Sequence, residues 1–240
     1  MKSETASFYR YFPISQRDKN WGFYVTTAGE SRVAPHTVYP PSGHPKGYSF
    51  DWRQGRVLEG FALVYLSSGR GTFESKQNFS ASLEAGHAFL LFPGLWHRYA
   101  PNPETGWHEY WIGFDGEMAH RWLKYGFISK KNPVVRVNAE DTVLATFSRV
   151  MQAIRENRPA LQQILAGATA NLMGLIYSAQ QAQPVAGSQN TNVIELAITR
   201  IHTEFERDLD MELLAQELGS DLHQYIIALF VFYFDRAQTI

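Results

Sequence analysis

Turn-forming residues divide the first half of the chain into short segments, and this spacing constrains the fold more than any other feature. Apolar or alternating runs such as 61–66 and 109–114 are separated by Gly, Pro and Ser at intervals of about ten residues. Several short strands of this kind are typical of an all-β sandwich or barrel. The Ser- and Gly-rich stretch 67–71 is also a hairpin signal, so we predict a turn there between two strands, 61–66 and 72–75.

The hydrophobic period changes to that of an α-helix in the second half of the chain. Apolar residues recur at helical spacing over 143–154, preceded by Asn138 as a predicted N-cap and by an acidic first turn. Pro159 is suited to the start of a second helix, which carries an apolar stripe over 161–176. Two such helices after a barrel either cover the barrel or pair with another subunit.

A polar stretch over 181–192 contains Pro and Gly but no apolar face, which predicts a linker. Beyond it, two amphipathic helices are predicted within 193–240. We therefore divide the chain into a first domain over 1–180, the linker and a helical C-terminal segment. Within the first domain we place a barrel at about 20–135 and helices at about 139–180. The predicted fold class is α+β.

The composition and the N-terminal sequence indicate the cellular compartment. The chain contains no cysteine, which excludes disulfides and thiolate chemistry and is typical of the reducing cytosol. The N-terminus lacks the apolar segment of a signal peptide, and the longest apolar run, 226–234, is too short to span a bilayer. We therefore expect a cytoplasmic protein with no membrane partner.

An ordered set of motifs over 39–114 is more specific than any single pattern. In chain order the motifs are Tyr39-Pro40-Pro41, His44-Pro45, Gly55-Arg56-Val57-Leu58-Glu59, Gly69–Ser75, Leu90–Tyr99 and Thr105–Phe114. Together they closely resemble the N-terminal effector-binding domain of the AraC/XylS family of transcription regulators. The resemblance extends over about residues 20–180, and it implies a cupin-like jelly-roll barrel that binds a small effector.

The resemblance continues at 193–219, which is similar to the beginning of the family's DNA-binding domain, with 214–219 as the first helix and turn of a helix-turn-helix. A recognition helix rich in Ser, Arg and Lys is expected next, because such side chains reach base edges in the major groove. Instead, 220–240 is mostly apolar and Arg236 is its only Lys or Arg. Residues 188–240 carry 9 acidic residues and only 3 Arg. A frameshifted or truncated product, or a degenerate regulator, would explain this, and we expect this chain to bind DNA poorly.

The resemblance also implies a sugar-binding pocket inside the barrel. By position, Tyr99 and Trp111 retain the family's Tyr and Trp, whereas Glu109 replaces a His and Ser31 replaces a Thr. With nearby polar residues included, the candidate effector-binding residues are Ser31, His44, Arg56, His97, Tyr99, Glu109 and Trp111. Aromatic faces combined with a few directed polar groups suit a sugar or a related polyol.

Several of these candidates could instead have a purely structural role. Trp111 is alternatively a core residue, and His97 a buried histidine whose ring nitrogens are satisfied within the core. Arg56 and Glu59 alternatively form an ion pair at the barrel mouth, and His44 a hydrogen-bonded turn. The sequence leaves both interpretations open.

Catalytic and metal-binding patterns point away from an enzyme. Many cupins hold a metal with two closely spaced His and a Glu, but 60–86 contains no His, which leaves His97 as a single potential ligand. The chain also lacks a G-x-S-x-G elbow, a phosphate-binding loop and a cysteine nucleophile. We therefore predict no metal, no cofactor and no catalytic residue.

These observations favour a ligand-responsive transcription regulator. Its barrel would bind a small effector, a sugar by preference, and its helices would join two subunits into a homodimer. Effector binding would reposition an N-terminal arm at about residues 8–20, with DNA as the partner of the family. One alternative is a metal-dependent cupin enzyme such as a sugar isomerase. Another is a DNA-free interaction module that dimerises with a full-length relative.

Overall fold

The computed structural model describes residues 7–39, 52–76 and 79–182. In chain order the elements are β1 (Ser7–Tyr11), α1 (Gln16–Asn20), β2 (Tyr24–Val33), β3 (Phe61–Ser75), β4 (Phe79–Glu84), β5 (His87–Leu91), β6 (His97–Pro101), β7 (Trp107–Asp115), α2 (Glu117–Lys124), β8 (Val134–Arg136), α3 (Glu140–Glu156) and α4 (Leu161–Gln181). The predicted helix-turn-helix segment and all but the first two residues of the predicted linker lie outside the described residues. None of the described helices is long and apolar enough to cross a lipid bilayer.

The strands form a cupin-like antiparallel barrel, so the predicted α+β fold class is confirmed. Six strands lie side by side in the order β1-β2-β7-β3-β5-β8, and every pairing between them is antiparallel. The second half of β3 leaves this sheet and pairs with β4 on one side and β6 on the other. One long strand therefore belongs to two sheets, which is how the barrel curves around its interior.

The predicted hairpin at 67–71 is wrong, because β3 continues through it. The pairing with β7 shifts register between Leu66 and Ser68, which marks a β-bulge. Gly69 adopts φ +84°, and a Cβ there would lie 2.1 Å from the Gly106 carbonyl oxygen. The glycines thus serve a bend and a close backbone approach rather than a reversal of the chain.

The helices cover the outer face of the sheet. Helix α4 packs against α3, β2 and β8, and the apolar stripe predicted over 143–154 is buried in the same cluster as strand residues such as Ile112. The amide side chain of Gln162 accepts from the Val25 N–H at 3.1 Å and donates to the Val25 carbonyl at 2.9 Å, which ties α4 to β2. A role of these helices in joining subunits stays a prediction.

The N-terminus of α3 departs from the prediction in one detail. Its N-cap is Ala139, without a side-chain hydrogen bond, and not Asn138. The acidic first turn is present as Glu140 and Asp141, so the favourable interaction with the helix dipole is retained. The helix thus begins one residue later than the capping propensity of Asn138 suggested.

A second apolar cluster fills part of the barrel interior. It contains the fully buried side chains of Leu66, Phe73, Leu83, Phe89 and Trp107. Large aromatic side chains exclude water from that part of the barrel. The remaining interior is a cavity, which is the candidate site.

Candidate functional site

A cavity of about 620 Å³ lies inside the barrel. This volume is in the range of sites that enclose a small organic ligand. Three residues of the N-terminal segment line it, Tyr11, Ile14 and Lys19, together with residues of β2, β3, β6 and β7. The segment that precedes the barrel is therefore part of the site.

Strands β2 and β7 form one wall of the cavity, and their pairing sets the order of the side chains along it. Side chains of alternate residues point to the same face of a sheet, and the register pairs them across the two strands. We define the β2–β7 wall as the three pairs Thr27–Gly113, Gly29–Trp111 and Ser31–Glu109. Trp111 therefore lies midway between a Thr27 end and a Glu109 end.

Trp111 owes its position to the glycine opposite. A Cβ on Gly29 would lie 2.4 Å from Cζ2 of Trp111 and 2.6 Å from the Cβ of Tyr9, so no other residue leaves room for the indole. The ring of Tyr9 packs nearby, with 6.3 Å between ring centroids. Trp111 is half-buried and lines the cavity, which suits an aromatic surface for a ligand.

A β-bulge shapes the Thr27 end. The register of β2 shifts between Val25 and Thr27, and both Thr26 and Thr27 line the cavity although they are consecutive in the chain. A Cβ on Gly113 would lie 2.6 Å from Cγ2 of Thr27 and 2.9 Å from Oγ1 of Thr26. Glycine at that position therefore makes the room that the two threonines occupy. The Oγ1 of Thr27 is buried and makes no hydrogen bond.

Arg56 makes hydrogen bonds to two polar side chains, Tyr99 and His97, near the Glu109 end. Its Nη2 donates to the Tyr99 hydroxyl at 2.5 Å, and its guanidinium lies 5.3 Å from the centre of the Tyr99 ring. Its Nε donates to Nε2 of His97 at 3.3 Å. Two backbone hydrogen bonds between Arg56 and His97, each 2.9 Å, hold the arginine against β6.

His97 is a neutral support for that arginine. Its Nδ1 lies 3.0 Å from the Leu95 carbonyl oxygen, so Nδ1–H donates there and Nε2 is left to accept from Arg56. Burial, reinforced by the positive charge of Arg56, lowers the pKa of His97 to about 4. The imidazole is therefore uncharged near neutral pH, with Nδ1 bonded to the Leu95 carbonyl and Nε2 to Arg56.

Glu109 is a buried carboxyl group with an unused oxygen. Its side chain is 7% exposed, and burial raises its pKa to about 8, although Arg56 and the nearby indole of Trp107 partly offset that rise. Oε2 of Glu109 and Nε1 of Trp107 nevertheless lie outside hydrogen-bonding geometry, and neither atom has a partner. The carboxyl is mostly protonated at neutral pH, so it can both donate and accept a hydrogen bond.

Comparison with known proteins decides the family. The family model described as the AraC-like ligand binding domain matches residues 35–178, which is more than half of the chain. The chain belongs to this family. The match begins after β2 and extends from β3 into α4, so it includes the part of the cavity lining on β3, β6 and β7 but not the part on β2 and the N-terminal segment.

Two curated relatives of this AraC-like chain are regulators by name. The lactose operon transcription activator of Staphylococcus xylosus is 24% identical over 179 residues, which is 72% of this chain and 61% of that protein. The raffinose operon transcriptional regulatory protein RafR of Pediococcus pentosaceus is 20% identical over 119 residues, which is 50% of this chain and 43% of that protein. The chain thus spans less than two thirds of the length of either relative.

Solved structures similar to this AraC-like chain are distant. The AraC-like transcriptional activator CuxR is 16% identical, with a TM-score of 0.44, over 89% of this chain and 76% of that one. The protein YhaK from Escherichia coli is 15% identical, with a TM-score of 0.33, over 46% of this chain and 45% of that one.

Most residues predicted for an AraC-like pocket meet at the cavity. Those that line it are Ser31, Arg56, Tyr99, Glu109 and Trp111. His97 is 1% exposed and lies behind Arg56 rather than in the wall, and His44 lies outside the described residues. Ser31 is hydrogen-bonded through Oγ to Oγ of Ser7 at 2.8 Å, which links the cavity to β1. Within 7–39, 52–76 and 79–182, no three His, Asp or Glu side chains are grouped as a metal site would need.

Several residues that line the cavity were not predicted from the sequence. Thr26, Thr27 and Tyr39 line the cavity, as do the N-terminal residues Tyr11 and Lys19. The bulge that brings both threonines to one face leaves no mark in the sequence, because a strand with regular alternation would separate them. Tyr39 belongs to the motif set over 39–114 and was the one residue that a signal could have identified.

Proposed function

We propose that this protein is a ligand-responsive transcription regulator whose barrel binds a sugar as its effector. The observation that carries the proposal is the half-buried indole of Trp111 inside a cavity of about 620 Å³, with hydrogen-bonding groups on both sides of it along β2 and β7. Membership of the AraC-like ligand binding family supports the role. The names of the two relatives, which refer to the lactose and raffinose operons, support the class of effector.

The chemistry of the wall suits a sugar better than an apolar ligand. The C–H face of a pyranose packs on an indole, while its hydroxyls need donors and acceptors around the ring edge. Ser31 and Glu109 offer such groups on the β2–β7 wall, and Arg56 with Tyr99 offers a cationic and phenolic pair. We propose these residues and Trp111 as the effector contacts, with His97 orienting the arginine.

The N-terminal segment is the element through which we propose that the effector acts. Strand β1 pairs with β2 over its whole length, and the Phe12 N–H donates to the Thr26 carbonyl at 2.9 Å. Tyr11 and Lys19 line the cavity. A ligand in contact with these residues changes the free energy of this segment directly, which is the requirement for a shift in its position.

A thermal-shift panel of monosaccharides, disaccharides and uronic acids tests the effector class. A sugar at 100 times its Kd stabilises by about 2.7 kcal/mol, which raises Tm by roughly 5–10 °C in a domain of this size. Trp111→Leu should abolish the shift, whereas Trp21→Leu should retain it, because Trp21 is 61% exposed and lies outside the cavity wall. Unchanged melting curves with every compound would refute the sugar proposal.

We also propose that this chain alone binds DNA weakly. The proposal rests on the 9 acidic residues and 3 Arg of residues 188–240, because binding to the phosphates of DNA requires clustered positive charge. In a gel-shift assay at moderate salt, a duplex from upstream of its own gene should migrate freely. A shifted band at sub-micromolar protein would show that the segment binds DNA in spite of its charge.

A further inference from the structure

Building on the proposed sugar-binding function, we propose that Trp96 and Arg98 are positioning residues for the effector. They hold the segment 52–58 against β6 and so place Arg56 in the cavity wall. Neither Trp96 nor Arg98 lines the cavity itself. Alternate residues of a strand point to opposite faces, and these two side chains are partly exposed on the face away from the barrel interior. The proposal therefore gives a role in binding to residues that the effector does not touch.

The segment 52–58 carries part of the cavity wall. Three of its residues, 56–58, line the cavity. The segment runs beside β6 on the edge opposite β3, because His97 pairs with Arg56 on one side and with Ser75 on the other. The position of Arg56 in the cavity therefore depends on how this segment is held against β6.

Backbone hydrogen bonds attach the second half of the segment. Arg56 exchanges two hydrogen bonds with His97, each 2.9 Å long. Two residues further on, the Leu58 carbonyl accepts from the Gly94 N–H at 2.9 Å. These bonds fix the end of the segment that enters the barrel.

Side chains from the same stretch of the chain attach the first half. The indole Nε1 of Trp96 donates to the Gln54 carbonyl at 2.7 Å. Nη1 of Arg98 donates to the Trp52 carbonyl at 3.3 Å. Carbonyls two and four residues before Arg56 are thus held by these two side chains, so their loss would free the segment on the side that precedes the arginine.

Gly55 is adapted to the indole of Trp96. A Cβ at this position would lie 2.6 Å from both Cε2 and Nε1 of the indole. Gly55 also adopts φ +65°, a left-handed conformation that favours glycine. Any larger residue would displace the indole from the Gln54 carbonyl. The backbone next to Arg56 is therefore shaped to accept Trp96.

Arg98 is itself fixed by an ion pair and by aromatic rings. Its Nε and Nη2 lie 2.8 and 2.7 Å from Oε2 of Glu74, the residue directly opposite on β3. Its guanidinium lies 4.5 Å from the centre of a Trp52 ring and 5.7 Å from the centre of a Trp96 ring. The side chain is only 26% exposed, which strengthens both kinds of contact. Arg98 therefore connects the start of the segment to the barrel sheet.

Hydrogen exchange of the Arg56 amide, followed by NMR in the ligand-free full chain, tests the attachment. Trp96→Phe keeps an aromatic ring but removes the hydrogen bond to the Gln54 carbonyl. The segment should then open more often, and the amide should exchange about three- to tenfold faster, which is the value of one hydrogen bond. The Asn157 amide, in the turn between α3 and α4, should keep its wild-type rate. Trp21→Phe alters an exposed tryptophan and is the matched control.

Calorimetry with lactose, raffinose and galactose tests the consequence for binding. The double variant Trp96→Phe, Arg98→Ala removes both side-chain attachments, so a smaller fraction of molecules holds Arg56 in place. Apparent affinity falls with that fraction, and any of these sugars that the wild type binds should bind the double variant about threefold or more weakly. Arg136→Ala should bind as the wild type does, because Arg136 is an exposed arginine of β8 whose Nη1 also donates to a backbone carbonyl.

Two results would overturn the proposal. Wild-type exchange of the Arg56 amide in both Trp96→Phe and Arg98→Ala would mean that these side chains do not hold the segment. Faster exchange combined with wild-type sugar affinity in the double variant would mean that the attachment has no role in binding. A wild type that binds none of the three sugars counts against the proposed function, whereas the exchange rates still decide whether the segment is held.

Discussion

Replacing Glu109 by Gln should remove a loss of stability that the wild-type protein suffers between pH 6.5 and pH 8. Burial raises the pKa of this carboxyl from 4.5 to about 8 in the folded state. The folded protein therefore binds more protons than the unfolded chain between these two values, so its stability falls as the pH rises through them. The stabilising effect of the protonated form is complete below pH 4.5 and is lost once the pH passes about 8.

The magnitude follows from the same two pKa values. Between these two values, each unit of rising pH lowers the free energy of unfolding by up to about 1.4 kcal/mol. The decrease becomes smaller as the pH approaches the pKa of the folded state. From pH 6.5 to pH 8 the loss is about 1.6 kcal/mol, which lowers Tm by roughly 3–6 °C in a domain of 150–250 residues.

His97 defines the lower limit of this window. Burial lowers its pKa from 6.5 to about 4, so the folded state binds fewer protons than the unfolded chain between these values. Its contribution to stability therefore rises with pH and is nearly complete at pH 6.5, opposite in sign to that of Glu109. Below pH 6.5 the two effects compensate, whereas above it Glu109 dominates.

Melting curves of the ligand-free protein at half-unit steps from pH 6.5 to pH 8 measure the effect. The Tm of the wild type should fall by roughly 3–6 °C more than that of Glu109→Gln. Glu84→Gln, an exposed carboxyl on β4, should follow the wild type. Parallel curves for wild type and Glu109→Gln would refute the argument, because they would mean that the carboxyl is ionised throughout this range.

Three further predictions concern the wall, the arginine and the helices. Gly29→Ala places a Cβ 2.4 Å from Cζ2 of Trp111, so it should lower the free energy of unfolding in urea by about 1–3 kcal/mol. It should also change the tryptophan fluorescence, and an unchanged spectrum would contradict the close packing. Arg56→Ala removes a positive charge that lowers the pKa of His97, so an NMR titration should find that pKa above 4; an unchanged value would assign the shift to burial alone. Ile164→Glu alters a 40% exposed apolar residue of α4, and it should convert the proposed homodimer to a monomer in light scattering; a dimeric variant would place the contact elsewhere.

Much of the architecture could be predicted from the sequence, because it depends on local signals. Gly and Pro between short apolar runs predicted the barrel, and the change of period predicted α3 and α4 close to their observed bounds. The strand around 109–114 was placed correctly for the same reason. The stretch 67–71 was misread as a turn, because glycine at φ +84° suits a bulge as well as a hairpin.

The candidate site was predicted mainly from the positions that resemble the family's sugar pocket. Tyr99, Trp111 and Glu109 were selected because they stand where the family's pocket has a Tyr, a Trp and a His, and all three line the cavity. His97 was added as a nearby polar residue, but it lies behind Arg56, where its ring nitrogens bond to Arg56 and to the Leu95 carbonyl instead of facing the cavity. Which side of a wall a polar residue occupies depends on its neighbours in space, and the sequence does not record them.

The sequence by itself determined the strands, the helices and the chemical groups available to a ligand, since turn residues and hydrophobic period act over a few neighbouring positions. Only the tertiary structure decided how those groups are spaced. The bulge at Thr26 turns two consecutive threonines to one face, and the register of β2 against β7 sets Trp111 midway between Thr27 and Glu109. A shift of one residue in that register would turn the same side chains away from the cavity, so the site is a property of strand pairing and not of composition.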